Sequence, residues 1–439
     1  MDTRTSSTKK TNLFPVSGTR DFYPKDALRK NWLLDGWRKT SLGCNFKEYD
    51  TSIVEHANLW KTKNGGNDDI MKEMFSVSDG NPHVELVLRP EMTPSVCRMA
   101  LKHLRNDVLP FKWFSVPQCW RNETTTVGRG REFYQWNCDI FGADSFKYEA
   151  ELLWVIVSFL KTVGLSANDV VIKISNKLFI ESYLKGKFNG DITAVFNIID
   201  KMNKKDSAEI EQLLLSTGMD SPTIEGLFDL IKIKDISLLK ERLGESAVSD
   251  THKLFDLLNV YGILDWIELD LSIARGLSYY TGIIFEGVFK NTAMKRSICG
   301  GGRYDDLLTS FGHKRRIPCI GFGMGDMPIL EGLSELGKLP DFSSKCDYCV
   351  IAFPNLYDEA VKIANTLRDK GNVVDIYIHS NPNNLKVKNA YNYADRIGAE
   401  KVILVAPDEF ARNSVRVKCL RDKDSTGTSK EEEVLISDL

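Results

Sequence analysis

Apolar positions in the first 165 residues follow two different periods, which predict helices and strands in alternation. Pro24 to Leu42 carries apolar side chains at helical spacing, and a second amphipathic helix is predicted from about Tyr148 to Val163. Between them, the aromatic-rich runs Phe111–Arg121 and Glu132–Phe141 read as strands and are joined by the polar loop NETTTVGRGR. These two runs therefore predict an antiparallel hairpin.

The pattern changes twice further along the chain. After one strand, residues 170 to 265 become lysine-rich with helical periodicity, which predicts a helical insertion. Up to about residue 340 no strand–helix–strand alternation occurs, so the sheet there is expected to be antiparallel. From residue 345 strands and helices alternate, which is typical of an α/β domain with a parallel sheet. The predicted organisation is a disordered tail at 1–17, an α+β core at 18–335 that contains the insertion at 170–265, and a C-terminal α/β domain at 345–439.

Composition and charge narrow the class of protein. The 58 basic and 60 acidic side chains give a net charge of −2, so composition alone does not indicate a nucleic-acid-binding protein. Nine cysteines without the spacing of a disulfide framework favour a reducing compartment. No stretch approaches the roughly 20 apolar residues of a membrane span, and residues 1–12 lack the apolar segment of a secretory signal. We therefore expect a cytoplasmic protein with no membrane-embedded part; a short organellar transit peptide at the N-terminus is the alternative, against which Asp2 argues.

The second strand of the hairpin carries the strongest candidate chemistry. Because side chains alternate along a strand, one face combines an aromatic ring, two amides and a carboxylate, from Phe133, Gln135, Asn137 and Asp139. At about 3.3 Å per residue this line is roughly 20 Å long, enough for an elongated ligand with an apolar plate at one end. The loop end adds three arginines suited to phosphate recognition, Arg121, Arg129 and Arg131. A solvated polar face on an ordinary hairpin is the alternative interpretation.

Four shorter patterns are weaker signals when each is taken singly. Arg89–Thr93 (RPEMT) places a charge pair around a proline, as a simple turn also could. Arg275–Gly282 (RGLSYYTG) places an arginine beside two tyrosines, which suits either an anion site or a surface turn with an aromatic anchor. Gly321–Gly325 lacks the strand–helix–strand setting of a dinucleotide fingerprint. The CxxC at Cys346–Cys349 has no second pair, so no metal site is predicted.

Together these segments resemble one family, the histidyl-tRNA synthetases of class II. Arg89–Thr93 resembles the family's RPEGT segment, and Arg121–Asp139 resembles motif 2, the strand–loop–strand that holds ATP. Arg275–Gly282 resembles the histidine-specific RGLDYYTG element, and Gly301–Asp305 (GGRYD) matches another family segment. The resemblance runs from about Gly18 to the end. It implies an antiparallel catalytic sheet with flanking helices and a helical insertion, followed by an α/β anticodon-binding domain.

The resemblance also implies a reaction and a set of partners. Histidine and ATP, with Mg²⁺ bridging the phosphates, would form histidyl-adenylate and pyrophosphate. The histidyl group would then move to the 3′ end of tRNA(His). A second copy of the chain is implied as well, because class II cores of this kind form homodimers through motif 1, here around Asn45–Glu55.

Roles carry over from the family residue by residue. ATP would contact Arg121, Glu123, Arg129 and Phe133, with Phe133 stacking on the adenine and Arg129 reaching the distal phosphates. Histidine would contact Glu91, Met92, Thr93, Arg121, Gln135, Asp139, Arg275, Tyr279, Tyr280 and Tyr304. Arg121, at the α-phosphate, and Arg275, at the charge that develops there, are the catalytic candidates. Gln135 and Asp139 would bind the ammonium group and orient the substrate, while the tyrosines would line the imidazole pocket.

Three departures from the family pattern stand out. Ser52 replaces a proline of motif 1, and Ser278 replaces the aspartate of RGLDYYTG. Motif 3 usually ends in Glu-Arg, whereas GFGMGDMPI has Met327-Pro328 there and lacks the arginine that usually packs over the adenine. We interpret this form as a variant branch of the family. The alternative is a non-catalytic regulator or sensor that binds histidine or tRNA, but the retained arginines Arg121 and Arg275 favour an enzyme.

Overall fold

The computed structural model describes residues 13–61, 68–104, 108–202, 205–273, 279–294, 296–343, 346–379, 386–423 and 429–439. The chain divides into two compact units, Met1–Pro340 and Asp341–Leu439. Each unit has hydrophobic clusters of its own, so each is described separately.

The larger unit contains twelve strands among its described residues. These are β1 (Lys47–Glu48), β2 (Val54–His56), β3 (Ser76–Val77), β4 (Leu86–Leu88), β5 (Phe111–Ser115), β6 (Gln118–Trp120), β7 (Glu132–Phe141), β8 (Val170–Asn176), β9 (Ile267–Leu269), β10 (Ile283–Phe289), β11 (Ser297–Arg303) and β12 (Cys319–Gly325). The helices outside the insertion are α1 (Pro24–Gly43), α2 (Asn58–Lys61), α3 (Asp68–Lys72), α4 (Thr93–His103), α5 (Lys147–Thr162), α12 (Leu307–Ser310) and α13 (Asp326–Glu335).

Nine of these strands form one sheet, in the order β1-β5-β7-β12-β11-β10-β8-β9, with β6 also paired to β7. The central pairs are antiparallel, as the sequence predicted, whereas β1–β5 and β8–β9 are parallel. The first strand of the predicted hairpin is broken between β5 and β6 at Val116-Pro117. A proline cannot donate to the strand ladder, so a break at this position is expected. Strands β2, β4 and β3 form a separate antiparallel sheet.

The two faces of the large sheet differ in chemistry. One face buries Trp136, Cys138 and Phe322 in the main core with the apolar side of α5. The opposite face carries Asp139 and packs against α4 through a smaller cluster that includes Val96 and several tyrosines. Alternation along β7 therefore separates the stabilising face of the sheet from the face that is available for chemistry.

Six helices lie between β8 and β9, in the segment for which the sequence predicted a helical insertion. They are α6 (Lys177–Leu184), α7 (Ile192–Ile199), α8 (Ser207–Ser216), α9 (Ser221–Ile231), α10 (Ile236–Leu243) and α11 (Glu245–Val260). Helices α6 to α10 each begin at an Asn or Asp whose side chain accepts a backbone N–H of the first turn, which satisfies groups that a helix start leaves unpaired. The insertion has its own core, to which Leu269 at the end of β9 and Leu271 just after it also belong.

The smaller unit is an α/β domain with a mixed sheet. Its strands are β13 (Cys346–Ala352), β14 (Val374–Ile376), β15 (Ala399–Val405), β16 (Ser414–Lys423) and β17 (Ser429–Leu435), and its helices are α14 (Tyr357–Asp369), α15 (Val387–Arg396) and α16 (Pro407–Phe410). In the order β14-β13-β15-β16-β17 the first three strands are parallel, as predicted, but the last two are antiparallel. Cross-strand charge pairs such as Lys418–Glu431, at 3.2 Å, hold this added hairpin.

The nine cysteines are free thiols, and most are packing residues. Burial raises the pKa of the Cys119 and Cys349 thiols to about 12, so both are protonated and unreactive at neutral pH. Within the part of the chain that the structure describes, no helix is both long and apolar enough to cross a membrane.

Candidate active site

The candidate site lies on the sheet face that carries the polar side chains of β7. The strand register pairs three of these side chains with glycines of β12: Gln135–Gly325, Asn137–Gly323 and Asp139–Gly321. The next strand continues the row with Gly323–Gly300 and Gly321–Gly302. Directly paired residues point to the same face of a sheet, so each polar side chain has bare backbone beside it. We call Gly300, Gly302, Gly321 and Gly323 the glycine floor.

The glycine floor leaves room for the polar side chains themselves. A Cβ atom built on Gly321 would lie 2.2 Å from Oδ1 of Asp139, and one on Gly323 would lie 2.8 Å from Nε2 of Gln135. Both distances are shorter than real contacts, so any larger residue would displace the group that it meets. In GFGMG a glycine stands at every second position, and in a strand such positions share one face, so this pattern predicts a glycine floor. The sequence interpretation considered Gly321–Gly325 as a dinucleotide fingerprint and as part of motif 3, and it missed the floor.

Asp139 is a buried carboxyl at one end of this face, 4% exposed. The hydroxyl of Tyr304 donates to Oδ1 of Asp139 at 2.5 Å. Burial raises the pKa of Asp139 to about 7, and the hydrogen bond from Tyr304 lowers it only in part. The carboxyl group therefore changes charge near neutral pH. In its ionised form it can accept a hydrogen bond from a ligand.

Three tyrosines predicted for the imidazole pocket come together beside Asp139. Tyr279 and Tyr280 are each 7% exposed, and their ring centroids are 4.8 Å apart. Tyr304 meets Tyr279 edge to face at 6.1 Å. Cys97 of α4 belongs to the same cluster. The result is an aromatic wall with a carboxyl and phenol hydroxyls, which suits a planar ring that has polar atoms at its edge.

Arg121 links the loop end of motif 2 to the RPEMT segment. Its Nε donates to the carbonyl oxygen of Pro90 at 3.0 Å, and its guanidinium lies 5.4 Å from the ring centroid of Phe133. No carboxylate within the described ranges forms an ion pair with Arg121. Two members of the predicted phosphate and adenine site, Arg121 and Phe133, are thus adjacent, and the arginine keeps its charge for a ligand.

The RPEMT segment itself is buried between β4 and α4. Glu91 is 4% exposed and Met92 is 1% exposed. The carboxylate of Glu91 and the guanidiniums of Arg89 and Arg121 all influence the thiol of Cys119, whose pKa is raised mainly by burial, so the four groups are neighbours. Thr93 is the first residue of α4, and Met92 precedes it without a side-chain cap.

The motif 2 loop holds Arg129 between carboxylates. Arg129 forms an ion pair with Glu123, and the carboxylate of Glu73 lies 3.9 Å from its guanidinium. Burial lowers the pKa of Arg129, and the positive charge of Arg296 lowers it further. Sequence reasoning identified Glu123 and Arg129 but not Glu73 or Arg296, which come from distant parts of the chain.

The segment before α1 closes the loop end of the site, which sequence analysis did not foresee. Arg20 donates to the buried carboxylate of Asp326 at 2.8 Å, and the backbone N–H of Tyr134 donates to the same carboxylate at 2.9 Å. The carbonyl oxygen of Gly18 accepts the backbone N–H of Arg131 at 2.8 Å. Gly18 has φ +85°, a conformation that favours glycine. The aspartate of GFGMGD therefore joins β7 and α13 to the start of the core.

Two further ion-pair groups are structural. Arg303 of GGRYD donates to Glu149 of α5 at 2.7 Å, on the sheet face opposite to the site. Asp270 accepts Lys173 at 2.8 Å and lies 3.1 Å from Lys234 of the insertion. Burial alone would raise the pKa of Asp270, but the hydrogen bonds from Lys173, Ser272 and Lys234 outweigh it and lower the pKa to about 2. This network anchors the chain just before the histidine-specific element.

Arg275 and Ser278 lie outside the described residues, so the role assigned to Arg275 stays a prediction from the resemblance. Within the described ranges no group of three or more histidine, cysteine, aspartate or glutamate side chains could hold a metal ion.

Comparison with known proteins gives matches to two family models and to curated relatives. Residues 18–327 match the family model "Histidyl-tRNA synthetase", and residues 347–436 match the model "Anticodon binding domain". The chain is 38% identical over 418 residues to the chloroplastic/mitochondrial histidine–tRNA ligase of Arabidopsis thaliana, covering 94% of this chain and 84% of that protein. It is 31% identical over 426 residues to the histidine–tRNA ligase of Pyrococcus horikoshii, covering 95% of this chain and 96% of that protein.

Solved structures show the same fold at lower identity. A histidyl-tRNA synthetase from Nostoc superposes with a TM-score of 0.80 at 22% identity, covering 96% of this chain and 97% of that one. A Bacillus halodurans protein described as an ATP phosphoribosyltransferase regulatory subunit/histidyl-tRNA synthetase superposes with a TM-score of 0.75 at 20% identity, covering 90% and 99%. The fold is thus common to both descriptions, while the family model and the curated relatives decide between them: the chain belongs to the histidyl-tRNA synthetase family.

Proposed function

We propose that the protein activates L-histidine with ATP and transfers the histidyl group to the 3′ end of tRNA(His). In the first step a carboxylate oxygen of histidine attacks the α-phosphorus, and pyrophosphate leaves as histidyl-adenylate forms. The observation that supports this proposal is the set of side chains on the polar face of β7. An arginine and an aromatic ring stand at its loop end, a carboxyl among tyrosines stands at its other end, and glycines lie beside the residues between them.

At the loop end, the chain's own residues account for nucleotide binding. Phe133 offers an aromatic plate to the adenine, and beside it Arg121, which forms no ion pair within the described residues, offers its guanidinium to the α-phosphate. Glu123 would contact the base, and Arg129 would exchange its carboxylate partners for distal phosphates. ATP would bring Mg²⁺ bound to its phosphates, which neutralises charge as pyrophosphate leaves.

At the other end, the residues fit a small cationic amino acid with a planar ring. Gln135 and Asp139 would bind the ammonium group and orient the substrate, together with Glu91 and Thr93 at the start of α4. Tyr279, Tyr280 and Tyr304 would enclose the imidazole. Arg275, assigned from the resemblance alone, would stabilise the charge that develops on the α-phosphate. No side chain needs to act as a nucleophile, because positioning and electrostatic stabilisation suffice for this chemistry.

Histidine-dependent ATP–pyrophosphate exchange tests the proposed function directly. Exchange of labelled pyrophosphate into ATP should require L-histidine and should not occur with other amino acids. A non-catalytic regulator or sensor would bind histidine or tRNA and show no exchange. Arg121 beside Phe133 and Arg129 in the motif 2 loop support the enzyme, because the proposed ATP site requires cations there.

The C-terminal unit is proposed to recognise tRNA(His), since it matches an anticodon-binding model. It has 14 basic and 15 acidic side chains in residues 345–439, so recognition cannot rest on a general basic field. Truncation after Pro340 follows the boundary between the units and should leave pyrophosphate exchange largely intact while nearly abolishing aminoacylation. Circular dichroism checks that the shortened chain is folded. Equal loss of both activities in a folded truncation would contradict this assignment.

We also propose a homodimer formed through residues 45–55. β2 is an edge strand of its small sheet, and Ile53 and Val54 are 49% and 39% exposed at this edge. Light scattering at micromolar concentration should give about twice the chain mass of 49.7 kDa, and Ile53→Asp should shift it towards the monomer. Val260→Asp, at an apolar position 80% exposed in the insertion, is the matched control. An active protein that scatters as a single chain would rule the dimer out.

The nine free thiols support placement in a reducing compartment such as the cytoplasm.

A further inference from the structure

Three guanidinium groups converge on the motif 2 loop, and one of them comes from outside motif 2. Nη2 of Arg296, just before β11, donates to the hydroxyl of Thr126 at the loop tip at 2.8 Å. The pKa of Arg129 is lowered first by burial and then by the positive charges of Arg296 and Arg121. Like charges in one place oppose folding, so an arrangement of this kind indicates a site for a polyanion.

Arg296 differs from Arg129 in its partners. Arg129 is paired with the carboxylates of Glu123 and Glu73. Within the described residues no carboxylate forms an ion pair with Arg296, whose side-chain hydrogen bond goes to a neutral hydroxyl. Arg296 is partly buried, and its hydrogen bond to Thr126 is exposed, so the guanidinium is open to a ligand. A hydroxyl is a weak partner for a guanidinium, and phosphate oxygens would replace it readily.

Arg296 also lies close to Pro328, the position at which motif 3 lacks its usual arginine. A Cβ atom built on Gly128 of the loop would lie 4.0 Å from Cδ of Arg296 and 4.0 Å from Cα of Pro328. Both residues therefore border the same point of the motif 2 loop. Pro328 carries no charge, and it occupies the position at which the arginine of motif 3 is missing.

We propose that Arg296 binds the triphosphate of ATP and supplies, from the start of β11, the cation that the Pro328 position lacks. This inference rests on the proposed function, because it requires ATP as the substrate at this loop. The planar guanidinium would bind phosphate oxygens in place of Thr126, beside Arg129 and Arg121. The site would thus keep the same number of positive charges as in the usual family pattern, with one of them supplied from the start of β11 instead of from α13.

Pyrophosphate exchange at varied ATP and saturating histidine tests this inference. Arg296→Ala should raise KM for ATP by about 10- to 100-fold, the effect of losing a charged hydrogen bond, and should leave KM for histidine nearly unchanged. Arg296→Lys should raise KM for ATP less, because it keeps the charge but loses the fork. Equal melting temperatures without ATP show that the variants are folded.

Thr126→Val is the matched control, because it removes the partner of Arg296 and keeps the charge. If Arg296 binds phosphate, Thr126→Val should keep KM for ATP within about twofold of wild type. An equal rise in both variants would show that the contact only orders the loop, and it would overturn the inference. In the Arg296→Ala background, Pro328→Arg should lower KM for ATP again. If KM for ATP stays high in this double variant, the inference that Arg296 replaces a cation at the Pro328 position is wrong.

These outcomes separate the inference from the proposed function. Absence of histidine-dependent exchange in the wild-type protein would refute the function itself. Normal exchange in wild type together with an unchanged KM for ATP in Arg296→Ala would refute only the role of Arg296.

Discussion

Replacing Arg121 by lysine or alanine is expected to lower kcat for histidyl-adenylate formation by about 10²–10³-fold, typical of losing one preorganised donor at a developing charge. The guanidinium of Arg121 is fixed by the carbonyl oxygen of Pro90 at 3.0 Å and lies beside Phe133. It is therefore held in place before ATP binds. Lysine keeps the charge but offers neither the donor to Pro90 in this geometry nor a planar fork for two phosphate oxygens.

The measurement is pyrophosphate exchange over a matrix of ATP and histidine concentrations. A contact that strengthens in the transition state should appear mainly in kcat, whereas KM for histidine should move much less. Arg38→Ala is the control, because Arg38 forms exposed ion pairs with Asp35 and Glu48 that contribute little. A near wild-type kcat in Arg121→Lys would show that Arg121 has only a structural role.

Asp139→Asn is expected to lower kcat/KM for histidine by about 100-fold at pH 8, since a buried charged acceptor becomes a neutral amide. The pKa of Asp139 is raised to about 7 by burial, so the side chain is ionised above that pH and neutral below it. In the wild-type protein kcat/KM for histidine should therefore fall as pH decreases through about 7. The histidine substrate titrates in the same range, with an imidazole pKa of about 6.5.

Comparison with Asp139→Asn separates the titration of Asp139 from that of the histidine substrate. Both proteins share the titration of the substrate, so the ratio of their profiles isolates Asp139. The ratio should fall towards one at low pH and reach its full value above about pH 8. Asparagine keeps an oxygen that can accept the hydrogen bond from the hydroxyl of Tyr304. Because an ionised buried carboxylate opposes folding, the melting temperature of Asp139→Asn at pH 8 should not be lower than that of the wild-type protein. A ratio that is independent of pH would exclude a charged role for Asp139.

The sequence allowed the central hairpin and one face of the site to be predicted, because both follow from local periodicity. The alternation of Phe133 and Asp139 on one face is a property of any strand, and the structure places both on the face of the candidate site. The α/β alternation after residue 345 was visible for the same reason. The appended β16–β17 hairpin was missed because β17 begins with the charged run Lys430–Glu433, although β16 alternates apolar and charged residues.

Contacts between distant segments could not be predicted in this way. Thr126 and Arg296 are 170 residues apart, and Arg20 and Asp326 are 306 residues apart. No local pattern marks either pair, since each depends on how β11, α13 and the segment before α1 meet around the motif 2 loop. The role of Arg275 rests on family resemblance and remains a prediction.

The glycine floor has a consequence for inhibitors that would lie across the sheet between the two ends of the site. Such a compound would rest on main-chain atoms, which point mutation cannot remove. Every substitution at Gly321 or Gly323 adds a side chain that first meets Asp139 or Gln135, both assigned to substrate binding. Resistance arising at the floor would therefore impair the use of histidine as well, and escape variants should be confined to the loop end of the site.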